Sequence, residues 1–275
     1  MIFKTTPYYT LFLYFIFSSF SIGQTNELGV FIGGSMFHGD VGYQNAENSL
    51  LNPRSSLGLE FKRNFNYHLG VKLSILQGEI QGSDDLSSDI YIQERNLMFR
   101  SKLTEIALLF EFNFRPYLSR DMDYNHTPFI FSGISNFYFD PKGKSIDDKW
   151  HSLRPLATEG QESDLYPNKE LYNLHGVSIP IGVGYKINVY EFLTLSMSIS
   201  WRMTFTDYID DVSTIYVDES ILNNLGNELA DQSENNFANG FQRGNPYNND
   251  KYGFVGISIL YSIQDPKKDC NNIIY

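Results

Sequence analysis

The sequence predicts an all-β fold: an eight-stranded antiparallel transmembrane β-barrel of the outer-membrane type, with short periplasmic turns and long external loops. Eight segments of about ten residues alternate apolar and polar side chains, and this length suits a tilted membrane span better than a soluble strand. The connections between them alternate between short and long. Aromatic residues gather near the segment ends, as interfacial girdles require. A soluble barrel or sandwich with its apolar face inward is the alternative.

The N-terminus has the pattern of a secretory signal peptide over residues 1–23. Lys4 is followed by an apolar stretch over residues 8–20, and Ser21 and Gly23 stand at the spacing for cleavage before Gln24. A buried N-terminal helix is the alternative. A signal peptide ahead of alternating strands predicts the outer membrane of a Gram-negative bacterium as the location.

Composition excludes several function classes. The chain has 275 residues and a net charge of −11, which is the wrong sign for a surface that binds nucleic acid. One cysteine, Cys270, allows neither a disulfide framework nor a cysteine zinc site. No internal apolar run is long enough for a transmembrane helix.

The predicted barrel occupies residues 24–263 and is followed by a C-terminal tail over 264–275. Its strands are expected at 27–37, 55–63, 67–78, 103–114, 127–138, 175–187, 193–203 and 251–263. The connections 64–66 and 188–192 are short enough to be tight turns between antiparallel neighbours. Asn, Asp, Ser and Gly dominate the long connections.

The segment VSIPIGVGYKI, residues 177–187, shows how the two faces differ. Val and Ile fill one face, whereas Ser, Pro, Gly and Lys fill the other. An eight-stranded membrane barrel turns its apolar face to lipid and fills its narrow interior with polar side chains. We therefore expect seven charges to face the lumen and pair with one another: Glu60, Lys62, Lys72, Glu105, Glu111, Lys186 and Arg202. Pro180 lacks a ladder donor, so a bulge is expected there.

The search for catalytic residues favours a protein that is not an enzyme. None of the five histidines stands in a metal-binding spacing, and no cofactor motif is present. His175 and Ser178 resemble the residues of barrel enzymes that modify lipids, but strand parity places them on opposite faces. A lipid-modifying enzyme remains the weaker hypothesis.

Two loop segments differ from the polar sequence around them: FYFDPKGKSIDDKWHSLRPLATEGQ, residues 137–161, and FTDYIDDVSTIYVD, residues 205–218. Their aromatic and apolar content predicts either a plug over the barrel mouth or a docking surface for a protein partner. A calcium site at Asp207, Asp210 and Asp211 is a third option. The partner-binding candidates in these segments are Trp150, Leu153, Pro155, Thr158, Glu159, Gly160, Gln161, Asp210, Asp211 and Tyr216.

These two segments, together with ELGVFIGGSMFHGDVG near the start of the barrel, resemble the PorG-type outer-membrane proteins of the type IX secretion system. The resemblance covers roughly residues 26–263. It departs at Ala157 and at TEGQE, which ends at Glu162, because the family pattern has glycine at both positions. The resemblance implies a non-enzymatic barrel that associates with the periplasmic ring of that machine, made of a lipoprotein and a partner protein.

With both termini periplasmic, however, the two specific loops lie at the external end, away from the ring. The periplasmic connection RPYLSRDMDYNH, residues 115–126, is longer than a barrel turn needs. It is the best candidate for ring contact through Arg115, Tyr117, Arg120 and Asp123, and a relaxed turn is the equal alternative. An inverted orientation also remains open. A generic OmpA-like structural or adhesion barrel, in contact with outer-membrane lipid alone, is the competing hypothesis.

Overall fold

The computed structural model describes residues 25–42, 52–234 and 236–263. The predicted signal peptide and C-terminal tail, with Cys270, lie outside the described residues. Within them, nine strands form one antiparallel sheet: β1 (Thr25–His38), β2 (Arg54–Asn64), β3 (Leu69–Ser83), β4 (Met98–Asn113), β5 (His126–Lys144), β6 (Trp150–Ser152), β7 (His175–Tyr190), β8 (Leu193–Thr204) and β9 (Lys251–Ser262).

The sheet closes on itself as an eight-stranded barrel. β1 pairs with both β2 and β9, and β4 pairs with β5, so the ring has no free edge apart from the short β6 added to the end of β5. The prediction of a closed antiparallel barrel is confirmed, and each of the eight predicted strands is present. Closure removes the unpaired backbone groups that an open sheet would expose.

The barrel is apolar outside and polar inside over its lower part, next to the short connections. Leu59 is 64% exposed, Phe110 59% and Ile181 52%, whereas the charged residues of the neighbouring positions are buried. This polarity is the reverse of a soluble barrel and matches a barrel in lipid. Among the residues that the structure describes, no α-helix combines the length and the apolar character needed to cross a membrane.

Three strands run further than the sequence predicts. β3, β4 and β5 extend towards the long-loop end, where their outward residues become polar, such as Glu79, Lys102 and Asp140. Their inward residues become apolar there, and Phe99 and Phe139 are buried. The polarity of the faces therefore inverts above the apolar band.

The long loops fold over the barrel mouth and pack onto these inward residues. They carry α1 (Ile90–Arg95), α2 (Asn224–Ala230) and three 3₁₀ turns at Asp84–Leu86, Arg154–Leu156 and Glu219–Ile221. Asp89 caps α1 by accepting a hydrogen bond from the Tyr91 N–H, which fixes where that helix begins. A continuous core joins strand and loop residues, including Phe37, Phe99, Phe139, Leu153, Ile209, Val212 and Leu229.

The prediction of a bulge at Pro180 was wrong. The β5–β7 register is the same on both sides of it, with Ser132 opposite Ile181 and Ser135 opposite Ser178. Between these two residue pairs β5 and β7 are not paired. Pro180, which has no N–H to donate, lies in this unpaired stretch. The register shift of β7 lies instead between Asn188 and Tyr190, next to the turn into β8.

Candidate functional site

The lower lumen is filled by a buried charge network centred on Glu111. Its carboxylate lies 2.6 Å from the Lys62 ammonium and also contacts Lys186, and Lys62 lies 3.8 Å from Glu27. These side chains come from β1, β2, β4 and β7 and meet across the lumen, because all four occupy inward positions of the alternating pattern. Two lysines and two glutamates balance in charge, which lowers the cost of burying them in the barrel.

Two further ion pairs fill the middle of the lumen. Lys72 lies 2.9 Å from Glu60, and Arg202 donates two hydrogen bonds, 2.9 and 2.8 Å long, to Glu105. The Tyr252 hydroxyl donates to the same Glu105 carboxylate over 2.7 Å. All seven lumen charges named from the sequence thus lie inside the barrel, and each has an oppositely charged partner. The seven predicted lumen charges did not include Glu27, although it begins the predicted strand 27–37 and is buried in the barrel.

Tyr117 closes the lumen at the short-loop end. It belongs to the connection 114–125, yet it is fully buried, and its hydroxyl donates to Asn188 over 2.6 Å. The Lys186 ammonium stands 4.4 Å from the centre of the Tyr117 ring. Asn188 in turn donates from its amide to the Leu118 carbonyl over 2.9 Å. The connection is therefore folded into the barrel and is not a relaxed turn.

The other candidates of this connection lie nearer its surface. Arg115 and Asp123 are exposed, and Arg120 is half-buried with a 3.0 Å hydrogen bond from its guanidinium to the Ser262 carbonyl. Met122 and Tyr124 are exposed beside them. The short-loop end consequently presents charged and apolar side chains around a fixed, tyrosine-sealed base.

At the long-loop end, Glu159 joins the two segments that the sequence singled out. It accepts hydrogen bonds from the Ser213 and Thr214 backbone N–H groups, at 2.8 and 3.0 Å, and from the Thr214 hydroxyl at 2.6 Å. Arg243 completes its shell with an ion pair of 3.1 Å. Glu159 is fully buried, and these groups compensate its charge together with the Tyr208 hydroxyl, which donates to it over 3.3 Å.

Asp211 makes the second link between the same segments. Its carboxylate accepts hydrogen bonds from the Thr158 hydroxyl and, over 2.7 Å, from the Tyr172 hydroxyl. Arg243 donates to the Asp211 carbonyl over 2.7 Å. Burial raises the pKa of Asp211 to about 6, against the lowering effect of Arg243, Thr158 and Tyr172.

Arg95 ties the first two long loops to the last. Its guanidinium donates two hydrogen bonds to Asp84, 2.7 and 2.8 Å long, and one to the Asp40 carbonyl at 2.7 Å. It also donates to the Arg243 carbonyl. Both Arg95 and Asp84 are buried. All four long connections are thus held in a single plug.

A cluster of carboxyl groups lies beneath this plug, where the last loop returns to β9. Burial raises the pKa of Asp207 to about 8, and it raises that of Asp210 and Asp250 well above the ordinary value. Each of the three is also raised by another of these carboxyls or by Asp40. In the described part of the chain no three His, Cys, Asp or Glu side chains are grouped as a metal site, so the calcium option gains no support.

The structure separates the partner-binding candidates into two sets. Trp150 is half-buried, Pro155 is exposed, and eight others are buried in the plug: Leu153, Thr158, Glu159, Gly160, Gln161, Asp210, Asp211 and Tyr216. Sequence analysis missed the two buried arginines, Arg95 and Arg243, that hold the plug. Each lies in a polar stretch of a loop, where nothing in the sequence except the arginine itself indicates a buried residue.

His175 and Ser178 do not meet. His175 is exposed on the outer face, with its ring 4.9 Å from that of Tyr138, whereas Ser178 is buried in the lumen and its hydroxyl lies 2.6 Å from that of Ser135. The pair therefore lacks the geometry of a nucleophile and its base.

Comparison with known proteins gives a family but no activity. The family model of a domain of unknown function, DUF6089, matches residues 6–154. No curated protein matches the chain.

Several solved barrels are weakly similar. Ail, the attachment invasion locus protein of Yersinia pestis, is 12% identical with a TM-score of 0.40, over 88% of this chain and 100% of that one. Neisserial surface protein A is 8% identical with a TM-score of 0.38, over 88% and 97%. A major outer membrane protein from Thermus thermophilus is 10% identical with a TM-score of 0.39, over 87% and 99%. The description of this chain as a closed barrel rests on its own strand pairing.

Proposed function

Because the chain belongs to the DUF6089 family of unknown function, we propose its function from its geometry: a non-enzymatic outer-membrane barrel that anchors a type IX-like protein secretion machine. Its part in that machine is to dock the periplasmic ring, made of a lipoprotein and a partner protein, so that cargo is exported. The resemblance of the loop segments to PorG-type proteins supports this assignment.

The observation that carries the proposal is a barrel closed at both ends. Ion pairs such as Arg202–Glu105 fill the lumen, Tyr117 seals one end, and the loop plug seals the other. A filled lumen leaves no water path for a solute. The surfaces that remain for function are the apolar band, which suits lipid, and the two ends, which suit protein.

Ring contact is proposed at the short-loop end. Arg115, Met122, Asp123 and Tyr124 are exposed there, and Tyr124 packs against Tyr67 with ring centres 5.3 Å apart. A mixed apolar and charged surface on a rigid base is suited to a protein partner. The buried candidates of the long loops then serve the plug and do not contact the ring.

The test is photo-crosslinking in cells from single positions of the full-length protein. A crosslinking amino acid at Asp123 should yield an adduct with the ring lipoprotein, whereas the same group at Asp164, exposed in the long loops, should not. An adduct from Asp164 alone would invert the orientation. A barrel that yields no adduct from either position, in cells whose secretion survives deletion of the gene, would return the OmpA-like structural hypothesis to first place.

A further inference from the structure

Above the apolar band, the outer wall of β4 and β5 carries a group of cations. Strand pairing places Arg100 directly opposite Lys142, and Lys102 opposite Asp140, one pair nearer the band. In the alternating pattern of β4 and β5, these residues fall on the same outward face as Ile106 and Ile134, which are exposed apolar residues below them. The wall formed by Arg100, Lys102 and Lys142 therefore faces the surroundings of the barrel.

The protein only partly neutralises this wall. Asp140 lies 3.5 Å from Lys142, while the Arg100 guanidinium lies 4.1 Å from the centre of the Trp150 ring. Within the described residues Lys102 forms no ion pair, although Glu79 of β3 and Asp140 of β5 lie opposite it on its two sides. Like charges directly opposite on paired strands destabilise a sheet. The three cations also outnumber the two carboxylates beside them, Glu79 and Asp140, so an anion from outside the chain would balance the pair Arg100 and Lys142. The chain's net charge of −11 makes a chance excess of cations a poor explanation.

The height of the wall identifies the kind of anion. Ile106 ends the continuous row of exposed apolar residues on β4, and Lys102 stands four positions beyond it. Four residues of a strand span about 13 Å, or about 10 Å along the membrane normal for a strand tilted by ~40°. Long basic side chains also reach back towards the interface. The three cations thus lie at the level of lipid headgroups, where phosphate is the anion available.

We propose that Arg100, Lys102 and Lys142 bind the phosphate groups of a phosphorylated glycolipid in the outer leaflet of the outer membrane. This inference rests on the proposed function for the membrane and for the orientation with the long loops outside. Trp150 stacks on Arg100 and holds the guanidinium plane so that two of its N–H groups point to one phosphate. Tyr138, exposed at the top of the apolar band, packs beside the sugar.

The test is native mass spectrometry of the detergent-solubilised full-length protein with bisphosphorylated lipid A. The R100A/K102A/K142A variant should bind at least tenfold more weakly than the wild type. Arg63→Ala, an exposed arginine at the short-loop end, is the matched control and should change the affinity less than twofold. Dephosphorylated lipid A should bind the wild type as weakly as the triple variant binds the phosphorylated form.

Three outcomes would overturn the proposal. The first is that the triple variant and the wild type bind lipid A with equal affinity. The second is that the wild type binds phosphatidylglycerol as tightly as lipid A. The third is that inorganic phosphate, at the same concentration as the lipid, displaces lipid A completely. Electrophoretic heat-modifiability shows whether each variant is folded. Should the triple variant fail to fold, Lys102→Ala alone should still weaken binding about threefold. Crosslinking from Asp123 to the ring is independent of this wall, so failure of the ring assignment and failure of lipid binding are distinguishable.

Discussion

The Glu159 carboxylate lies 3.1 Å from the Arg243 guanidinium, and both side chains are buried although they come from different long loops. Their sequence separation is 84 residues. Removing one member of a buried ion pair leaves the other charge uncompensated, at a cost of about 3–5 kcal/mol. The loop plug thus depends on a contact that a single substitution removes.

Glu159→Gln is therefore expected to open the plug while leaving the barrel folded. Arg243 would lose its nearer carboxylate partner and keep Asp211 at 3.8 Å, and the long loops should become accessible to added protease at least tenfold faster. The measurement is limited proteolysis of intact cells, with electrophoretic heat-modifiability as the check on the barrel. Glu170→Gln, at an exposed position of the same loop, is the control. Equal cleavage of both variants would contradict a structural role for the pair.

The lumen network predicts an asymmetry between two substitutions. Glu111→Gln leaves Lys186 without its carboxylate, because the ion pair with Glu111 is the only one that Lys186 forms among the described residues. This substitution should lower the free energy of unfolding by about 3–5 kcal/mol. Lys186→Met leaves Glu111 with Lys62 and should cost less. Combining the two should recover part of the loss, since both charges are then gone. Urea unfolding in lipid vesicles measures all three, and equal single-mutant costs with simple additivity would refute the network.

Stability of the long loops should fall as pH rises from about 4 to about 8. Asp207 loses its proton near pH 4 in an unfolded chain, whereas burial raises its pKa to about 8 in the folded one. The folded state binds more protons in this window, so unfolding becomes easier as pH increases. Asp207→Asn should weaken the dependence, which Asp210, Asp211 and Asp250 would partly retain, and should protect the loops from protease at pH 8. Asp164→Asn, an exposed control, should follow the wild type.

Two residues of the TEGQ region hold left-handed backbone conformations. Ala157 has a φ of 50° and Glu162 a φ of 60°, and such conformations cost a residue with a Cβ atom about 1 kcal/mol or more. They are the two positions at which the sequence departs from the glycines of the PorG-type pattern that it resembles. Ala157→Gly and Glu162→Gly should each raise the free energy of unfolding of the plug by about 0.5–1 kcal/mol.

Glu170→Gly is the control for these two substitutions, because position 170 is not among the residues with positive φ. Glycine there adds only freedom to the unfolded chain and should lower stability. Urea midpoints followed by protease protection of the long loops rank the three variants. A destabilising effect at all three positions would show that the left-handed conformations carry no strain.

Alternation of apolar and polar side chains was enough to predict the barrel, since every second residue of a strand must be apolar wherever one face of the sheet contacts lipid. It failed above Ile106 and Ile75, where the outward face of β3 and β4 becomes polar and the inward face apolar. Both strands were therefore predicted too short at this end: β3 ends at Ser83 and β4 begins at Met98. The plug could be expected from the aromatic content of the two loop segments. Its partners could not, because Thr158 and Asp211 are 53 residues apart and only the folded chain brings them together.

The lumen pairs have a consequence for assembly. Glu105 and Arg202 are 97 residues apart, and Glu111 and Lys186 are 75 residues apart, so neither of these two pairs can form until strands from both halves of the chain have met. A ring closed two residues out of register would keep the apolar side chains towards lipid, yet it would move the buried charges away from their partners. Burial of apolar side chains in lipid would not disfavour such a register, but the loss of buried ion pairs would. The charged interior therefore selects the correct register when the barrel closes.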